Sequence, residues 1–363
     1  MANYLKIKSI HQFLPVLARH DAIGETVLEM NRLIKEWGYS SEIYVEKPID
    51  QTSKLTKKFT DYEPVETDLI IYHHSIGSAL AKFTSKLNIP KILFYHNITH
   101  PEFFEPYDKT ISSELFQGRQ QTKELANFFE FVMAVSGYNK HELHSYGFKN
   151  VLEMQYFLDL ERFDSIESKK EIIEKYQDTT NILFIGRKSP NKKIEDLLKI
   201  FAYYKILNPK SKLFILGGSW SVENYVIMLK KLQNDLHINN EDIISIDSLS
   251  DQELVSYYRI ANFFLCMSEH EGFCIPLVES MYFGVPIIAY NSSAVPDTLG
   301  DSGILVNHKN FGEISEILDI VNNDNNLQNK IIFKQKERLQ FFNTATAKKL
   351  LKQNIELVCN NLT

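Results

Sequence analysis

The stretch "NFFLCMSEHEGFCIPLVESMYFGVPIIAY", Asn262–Tyr290, decides the fold class. Two short apolar runs, "NFFLCMS" and "VPIIAY", flank the helix-like "PLVESMYFG". Strand, helix and strand in so short a span read as a parallel unit. Pro276 suits the first helical turn, because its missing N–H would have no partner there. The loop before it carries Glu269, Glu271 and Gly272, and glycine permits close backbone approach. Glu279 falls about one turn inside the helix. A helix N-terminus offers N–H groups and a positive dipole end to an anion. Glu271 can then hold sugar hydroxyls, and Glu279 a vicinal diol such as a ribose. Acids also simply favour helix starts, but two of them around a Gly/Pro loop point to a nucleotide-sugar site.

The same alternation extends outward in both directions. "NILFIGR", "KLFILGG" and "DIISI" read as strands before it, separated by the helical "IEDLLKIFAYYKIL" and "DQELVSYYRIA". An earlier series holds "YLKIKSI", "SEIYVE", "DLIIYHH", "KILFYHN" and "FVMAVS", with the helix "GETVLEMNRLIKEWG" stopping at Gly38. Two such series predict two doubly wound α/β domains. The seam falls near "LDLERFDSIESKKEIIEKYQDTT", and the chain reads as helical from "NFGEISEILDIVNN" to its end.

A chain of 363 residues is too long for one ordinary core. Its 44% hydrophobic and 24% charged content is that of a globular protein, and a net charge of −6 speaks against a nucleic-acid partner. Three scattered cysteines without a CxxC suit a reducing cytoplasm. "MANYLKIKSI" lacks a signal-peptide core, and no run approaches the ~18 apolar residues of a membrane span. Lys54, Lys57 and Lys58 read as a solvated loop, although peripheral contact with a membrane stays open.

Parallel sheets place ligands at the carboxyl ends of their strands. There "FIGRKSPNKKIEDLL" sets Arg187 and Lys192 where a guanidinium and an ammonium can neutralise one diphosphate; Lys188 and Lys193 read as solvated. His73 and His74 end one strand and His96 another. The first two read as ligand-facing, not catalytic; His20 beside Asp21 is an even choice between ligand contact and none, and His270 projects from its loop. No His/Cys cluster has zinc-like spacing, and no two aspartates stand two residues apart. No metal is therefore expected, with two cations and a helix dipole in its place.

"FIGR…K…DLL", "SDQELVSYYRIANFFLCMSEHEGFCIPLVESMYFGVPIIAY" and "GDSGILV" resemble the signature regions of family 4 retaining glycosyltransferases (glycosyl transferases group 1). That family's motif is two glutamates separated by seven residues, as Glu271 and Glu279 are. "HDAIGETVLEM" resembles its glycine-containing loop, and "LFYHNITH" its histidine-bearing loop. The resemblance implies the GT-B fold, two Rossmann-like doubly wound domains facing across a cleft, with C-terminal helices returning to the first. The domains would be 1–165 with about 345–363, on the acceptor side, and 166–344, binding the nucleotide-sugar.

Carried over, the resemblance gives Arg187 and Lys192 the donor diphosphate. Glu271 would contact the donor sugar, with the backbone N–H groups of Gly272, Phe273 and Cys274. Ile275, Pro276 and Leu277 would form the turn beside the diphosphate, Glu279 would bind the ribose, Gly24 would let its loop approach the phosphates, and His96 would approach the transferred sugar. The catalytic set is Glu271, His96, Arg187 and Lys192. Cys274 stands where glycine is usual, Gly218 where an acid is usual, Asp297 where Glu is usual, and Tyr156-Phe157 where Asn-Gly is common. No cofactor is implied beyond a UDP- or GDP-linked sugar as substrate. The expected activity is retaining, metal-independent hexosyl transfer to a glycan or lipid-linked acceptor, in cell-surface polysaccharide or glycoconjugate biosynthesis at the cytoplasmic side. The alternatives are a nucleotide-sugar 2-epimerase of the same fold and a non-catalytic binding subunit.

Overall fold

The computed structural model describes residues 7–19, 21–218 and 222–361. His20, Ser219 and Trp220 lie outside these residues, as does the start of the "YLKIKSI" run.

The chain forms two compact units. The first runs to Pro101, continues over Thr110–Leu158 and takes in the chain from Phe342 onward. Its strands are β1 (Ser9–Leu14), β2 (Ile43–Val45), β3 (Lys57–Lys58), β4 (Asp68–His74), β5 (Lys91–Tyr95), β6 (Phe131–Ala134) and β7 (Asn150–Glu153). They form one parallel sheet in the order β3-β2-β1-β4-β5-β6-β7. All seven residues of β4 are buried, which is why it reads as an unbroken run: a strand covered on both faces has no polar alternation. The helix Ala22–Glu36 starts where the Asp21 carboxylate accepts the Ile23 N–H, and Gly38 follows its end at φ +89°.

The second unit comprises Glu102–Lys109 and Asp159–Phe341. Its strands are β8 (Thr180–Ile185), β9 (Ser211–Leu216), β10 (Ile243–Ile246), β11 (Phe263–Cys266), β12 (Ile287–Tyr290) and β13 (Ile304–Val306). These are also parallel, in the order β10-β9-β8-β11-β12-β13. Each sheet thus reverses its strand order once, at β1/β4 and at β8/β11. Loops leaving the two strands of a reversal turn to opposite faces and open a crevice at the carboxyl ends.

The C-terminal helix Thr344–Asn360 packs on the first unit, where Asn354 Nδ2 donates to the Glu153 carbonyl at 2.8 Å and Thr344 Oγ1 to that of Leu158 at 3.1 Å. The segment Glu102–Lys109 joins the second: Asn224 Nδ2 donates to the Tyr107 carbonyl at 2.8 Å, and the Tyr107 ring meets Tyr225 edge-on at 5.2 Å.

Four strand readings need correction. The strand expected over "YLKIKSI" begins only at Ser9 and runs on to Leu14, through His11 and Gln12. β7 and β13 are short and went unread. Lys57 and Lys58 form an exposed edge strand rather than a loop, and lysines on an edge deter further pairing. Among the described residues no helix is long and apolar enough to cross a membrane.

Candidate functional site

The β8/β11 reversal holds a cation–carboxylate pair. Beyond β8 the chain passes Gly186 and Arg187, makes a 3₁₀ turn over Pro190–Lys192, and enters the helix Ile194–Leu207. That turn aims Lys192 Nζ at both oxygens of Glu271, at 2.6 and 2.7 Å. The Lys192 side chain is 18% exposed and that of Glu271 7%. Burial works to lower the Lys192 pKa, but the Glu271 carboxylate outweighs it and leaves the ammonium above its ordinary value. Arg187 is exposed, and its charge opposes that of Lys192; an anion between two such cations relieves their repulsion. Gly218 explains the missing acid of this region. At φ +90°, a Cβ there would stand 2.5 Å from Arg187 Cα, so no side chain fits.

Lys188 and Lys193 are not the solvated lysines expected. Lys188 is buried and paired with Asp247. Lys193, left-handed at φ +53°, pairs with Glu269 at 3.3 Å and Glu195 at 3.5 Å.

The loop carrying Glu271 is pinned along its length. Asn191 accepts the Glu269 N–H at 2.9 Å and donates its amide to the His270 carbonyl at 2.9 Å. The Glu271 N–H donates to Ser293 Oγ at 2.7 Å, and Thr298 Oγ1 to the Phe273 carbonyl at 2.5 Å. His270 is buried rather than projecting. The helix Ile275–Phe283 follows, with Pro276 in its first turn and Leu277 fully buried. Its N-cap, Cys274, sits at φ +73°, a left-handed conformation costing a side-chain-bearing residue about 1–2 kcal/mol. Gly272 remains half-buried and Phe273 is buried. Glu279, half-buried one turn on, accepts the Tyr258 hydroxyl at 2.7 Å. Burial raises its carboxyl above the usual range, and the tyrosine bond opposes part of that rise.

Cys266 ends β11, and its thiol, the Cys274 thiol and a Glu271 oxygen all lie within 4.8 Å of one another, all three residues buried. Cys266 Sγ donates to Ser268 Oγ at 3.4 Å. Two cysteines separated by seven residues gave no sign of this convergence.

At the carboxyl ends of β1 and β4 four described buried side chains form an uncharged relay. Gln12 Nε2 donates to the Val27 carbonyl at 2.9 Å, which orients its amide and turns Oε1 toward His73 Nε2 at 3.1 Å. His73 Nε2 therefore carries the proton, and Nδ1 accepts from His96 Nε2 at 2.9 Å. His96 Nδ1 in turn accepts the Tyr156 hydroxyl at 3.2 Å. Both ring nitrogens of His96 are thus engaged inside the unit, and Tyr156, the departure from Asn, supplies one partner. Burial lowers His73 to about 3 and His74 to about 4, and drives His96 well below the ordinary histidine value. His74 is spent on Tyr72, Thr122 and Gly118. Gly24 lies in the first turn of the helix Ala22–Glu36, not in the loop before it. A Cβ there would stand 1.7 Å from the Ala18 carbonyl oxygen, so the chain's own backbone uses that space.

Sequence reasoning missed three supporting side chains. Tyr258 lay in a quoted helix with nothing to set it apart. Ser293 and Lys309 act from far along the chain; Lys309 Nζ bonds Asp196 and Glu269, both at 2.7 Å, and the Met267 carbonyl at 3.1 Å. Only the fold brings them in.

The family model "Glycosyl transferases group 1" matches residues 165–338. The capsular polysaccharide biosynthesis glycosyltransferase CapM of Staphylococcus aureus is 27% identical over 189 residues, 50% of this chain and 48% of that one. The O-antigen chain mannosyltransferase B of Escherichia coli is 27% identical over 151 residues, 40% of this chain and 38% of that one. The chain spans less than half the length of these curated relatives. The crystal structure of Anabaena HepE in complex with UDP and glucose superposes with a TM-score of 0.74, covering 96% of this chain and 99% of that one at 16% identity, a likeness of fold. The family match lies over the unit that holds Arg187, Lys192, Glu271 and Glu279, and the chain has the GT-B fold.

Proposed function

We propose that the chain is a retaining hexosyltransferase that uses no catalytic metal, moving a hexose from a UDP- or GDP-sugar to a hydroxyl of a glycan or lipid-linked acceptor. The observation that carries this is the Lys192–Glu271 pair with Arg187 beside it, at a strand reversal and ahead of a helix N-terminus. Lys192 and Arg187 neutralise the donor diphosphate, and stabilising the charge that grows on it as the glycosidic bond breaks lowers the barrier. Glu271, already fixed through Ser293, accepts the sugar hydroxyls. Glu279 has one oxygen held by Tyr258 and offers the other to the ribose diol.

With both glutamates so engaged, neither serves as nucleophile or general base. The acceptor enters on the leaving group's own face, and the departing phosphate oxygen takes its proton, so an α-linked donor gives an α-linked product. The names of CapM and of the mannosyltransferase support a role in cell-surface polysaccharide synthesis, and the HepE complex supports a nucleotide-sugar donor. The work would be done on the cytoplasmic side, at or near the inner face of a membrane.

The test is a thermal-shift screen of UDP- and GDP-sugars, then the NMR coupling constant at the new anomeric centre. A β product from an α donor overturns retention. Conversion of the donor without acceptor to its 2-epimer overturns transfer. Activity lost to EDTA and restored by magnesium or manganese overturns the metal-free mechanism.

A further inference from the structure

We propose that Cys266, Cys274 and Glu271 form a binding site for a thiophilic divalent cation, Zn²⁺ above all, and that its occupancy withdraws Glu271 from the donor. The three ligand atoms already lie within 4.8 Å of one another. In a tetrahedral zinc site with Zn–S of about 2.3 Å, neighbouring ligand atoms stand about 3.8 Å apart. Contraction by about 1 Å or less therefore closes the site. Cys266 is fixed at the end of β11; Cys274 and Glu271 belong to the loop beyond it. Glu271 and Cys274 reach the surface at 7% and 9% exposure, against 1% for Cys266, so the cation enters from their side. Three protein ligands leave a fourth position to water.

The charges balance. Zinc binding expels one proton from each thiol, and two thiolates with one carboxylate give the cation a net charge of −1. The Lys192 ammonium, 2.6 Å from one Glu271 oxygen and 2.7 Å from the other, neutralises that charge. Zinc thus ties up Glu271 and Lys192 together. Ser268 Oγ, 3.4 Å from Cys266 Sγ, and Ser293 Oγ, on the Glu271 N–H, hold two of the ligands from behind. A glycine at position 274 would have no thiol to offer, so the site depends on the cysteine there.

The inhibitory consequence rests on Glu271 holding the donor; the binding does not. Cobalt(II) is added to the reduced chain and its spectrum recorded. The expected result is a near-ultraviolet sulfur-to-cobalt charge-transfer band with tetrahedral visible bands, bleached by one equivalent of zinc and absent from Cys266→Ser and Cys274→Ser. Because a variant can fail to fold, N-ethylmaleimide labelling of the wild-type chain gives a second measure. Zinc should protect Cys266 and Cys274 and leave Cys359, which is half-buried elsewhere, reacting as before. No cobalt band, a band that survives Cys266→Ser, or equal labelling with and without zinc overturns the site. So does protection that dithiothreitol abolishes and zinc does not cause, which marks a disulfide. In the transfer assay, zinc should inhibit the wild-type chain, and Cys266→Ser should raise the half-inhibiting concentration by at least about tenfold, the scale of losing even an outer-shell contact. Binding without inhibition keeps the metal site and overturns the part given to Glu271 in donor binding.

Discussion

The two units solve the same topological problem with opposite electrostatics. Each sheet reverses strand order once, beside its first strand, and each reversal collects polar side chains. At β1/β4 they form an uncharged relay, Tyr156 to His96 to His73 to Gln12, closed by a backbone carbonyl. At β8/β11 they form ion pairs, Lys192 with Glu271 and Lys309 with Asp196 and Glu269. A buried neutral relay stays cheap only if every hydrogen bond is made. A buried ion pair stays cheap only while both partners are present. One arrangement should fail on protonation, and the other on removal of a single side chain.

The first contrast gives the largest expected effect. His73, His74 and His96 are neutral in the folded chain, with pKa values far below the ordinary 6.5. A lowered folded pKa means that the unfolded chain binds more protons, so stability is full above about pH 6.5 and is lost as pH falls toward the folded values. Each histidine that stays neutral should cost about 2 kcal/mol between pH 6.5 and 5. Urea unfolding at both pH values checks this. A flat profile would show that the relay titrates like solvent-exposed histidines.

Lys192→Met attacks the other arrangement. It strands the Glu271 carboxylate at 7% exposure and should lower stability by about 3 kcal/mol. The double variant Lys192→Met, Glu271→Gln should regain most of that loss while staying inactive. Equal destabilisation of both variants in urea would mean that the pair has no energetic coupling.

The second unit was the more legible, for a physical reason. Its motif residues lie next to strand ends, so local sequence carried Arg187, Lys192, Glu271 and Glu279 to one sheet edge. The helix expected over "IEDLLKIFAYYKIL" matches Ile194–Leu207 residue for residue. In the first unit the strand was placed over "YLKIKSI", which stops before polar His11 and Gln12, whereas β1 runs through them. They are polar because a buried relay needs Gln12. Partners supplied across the fold were out of reach of any local pattern, as Tyr258 is to Glu279 and Tyr156 to His96. The cysteines looked scattered because their spacing, Cys-x₇-Cys, spans a loop that doubles back on itself.

That loop supplies a sharper comparison at Cys274. At an ordinary position glycine is worse than alanine, since it loses more backbone freedom on folding. At φ +73° the order should invert. Cys274→Gly and Cys274→Ala both lose the thiol, so their difference isolates the backbone. We expect the glycine variant to be the more stable of the two by about 1 kcal/mol in urea. Alanine as the more stable would mean that the loop relaxes away from the left-handed conformation.

The smallest effect separates the buried and the half-buried acid of the donor site in the second unit. Glu271 has a cation in direct contact; Glu279 accepts the Tyr258 hydroxyl and feels the Arg162 charge more weakly, and burial leaves its carboxyl raised. A raised folded pKa works in the opposite sense to the histidines. The folded chain holds the proton more tightly, so the stability from Glu279 is full below the ordinary carboxylate value of about 4.3 and is lost as pH rises through the folded value. Glu279→Gln removes this dependence and keeps an oxygen for Tyr258. Relative to wild type, the variant should therefore gain stability between pH 4 and pH 7, whatever the histidines do to both proteins. Its nucleotide affinity should fall about tenfold, because an ionised acceptor for the ribose hydroxyls is gone. Melting curves across that range, with UDP and GDP titrations at pH 7, test the two halves together. A variant that gains no stability but loses affinity would mean that the native carboxylate is already paid for by solvent, whereas one that keeps its affinity would remove Glu279 from the donor site.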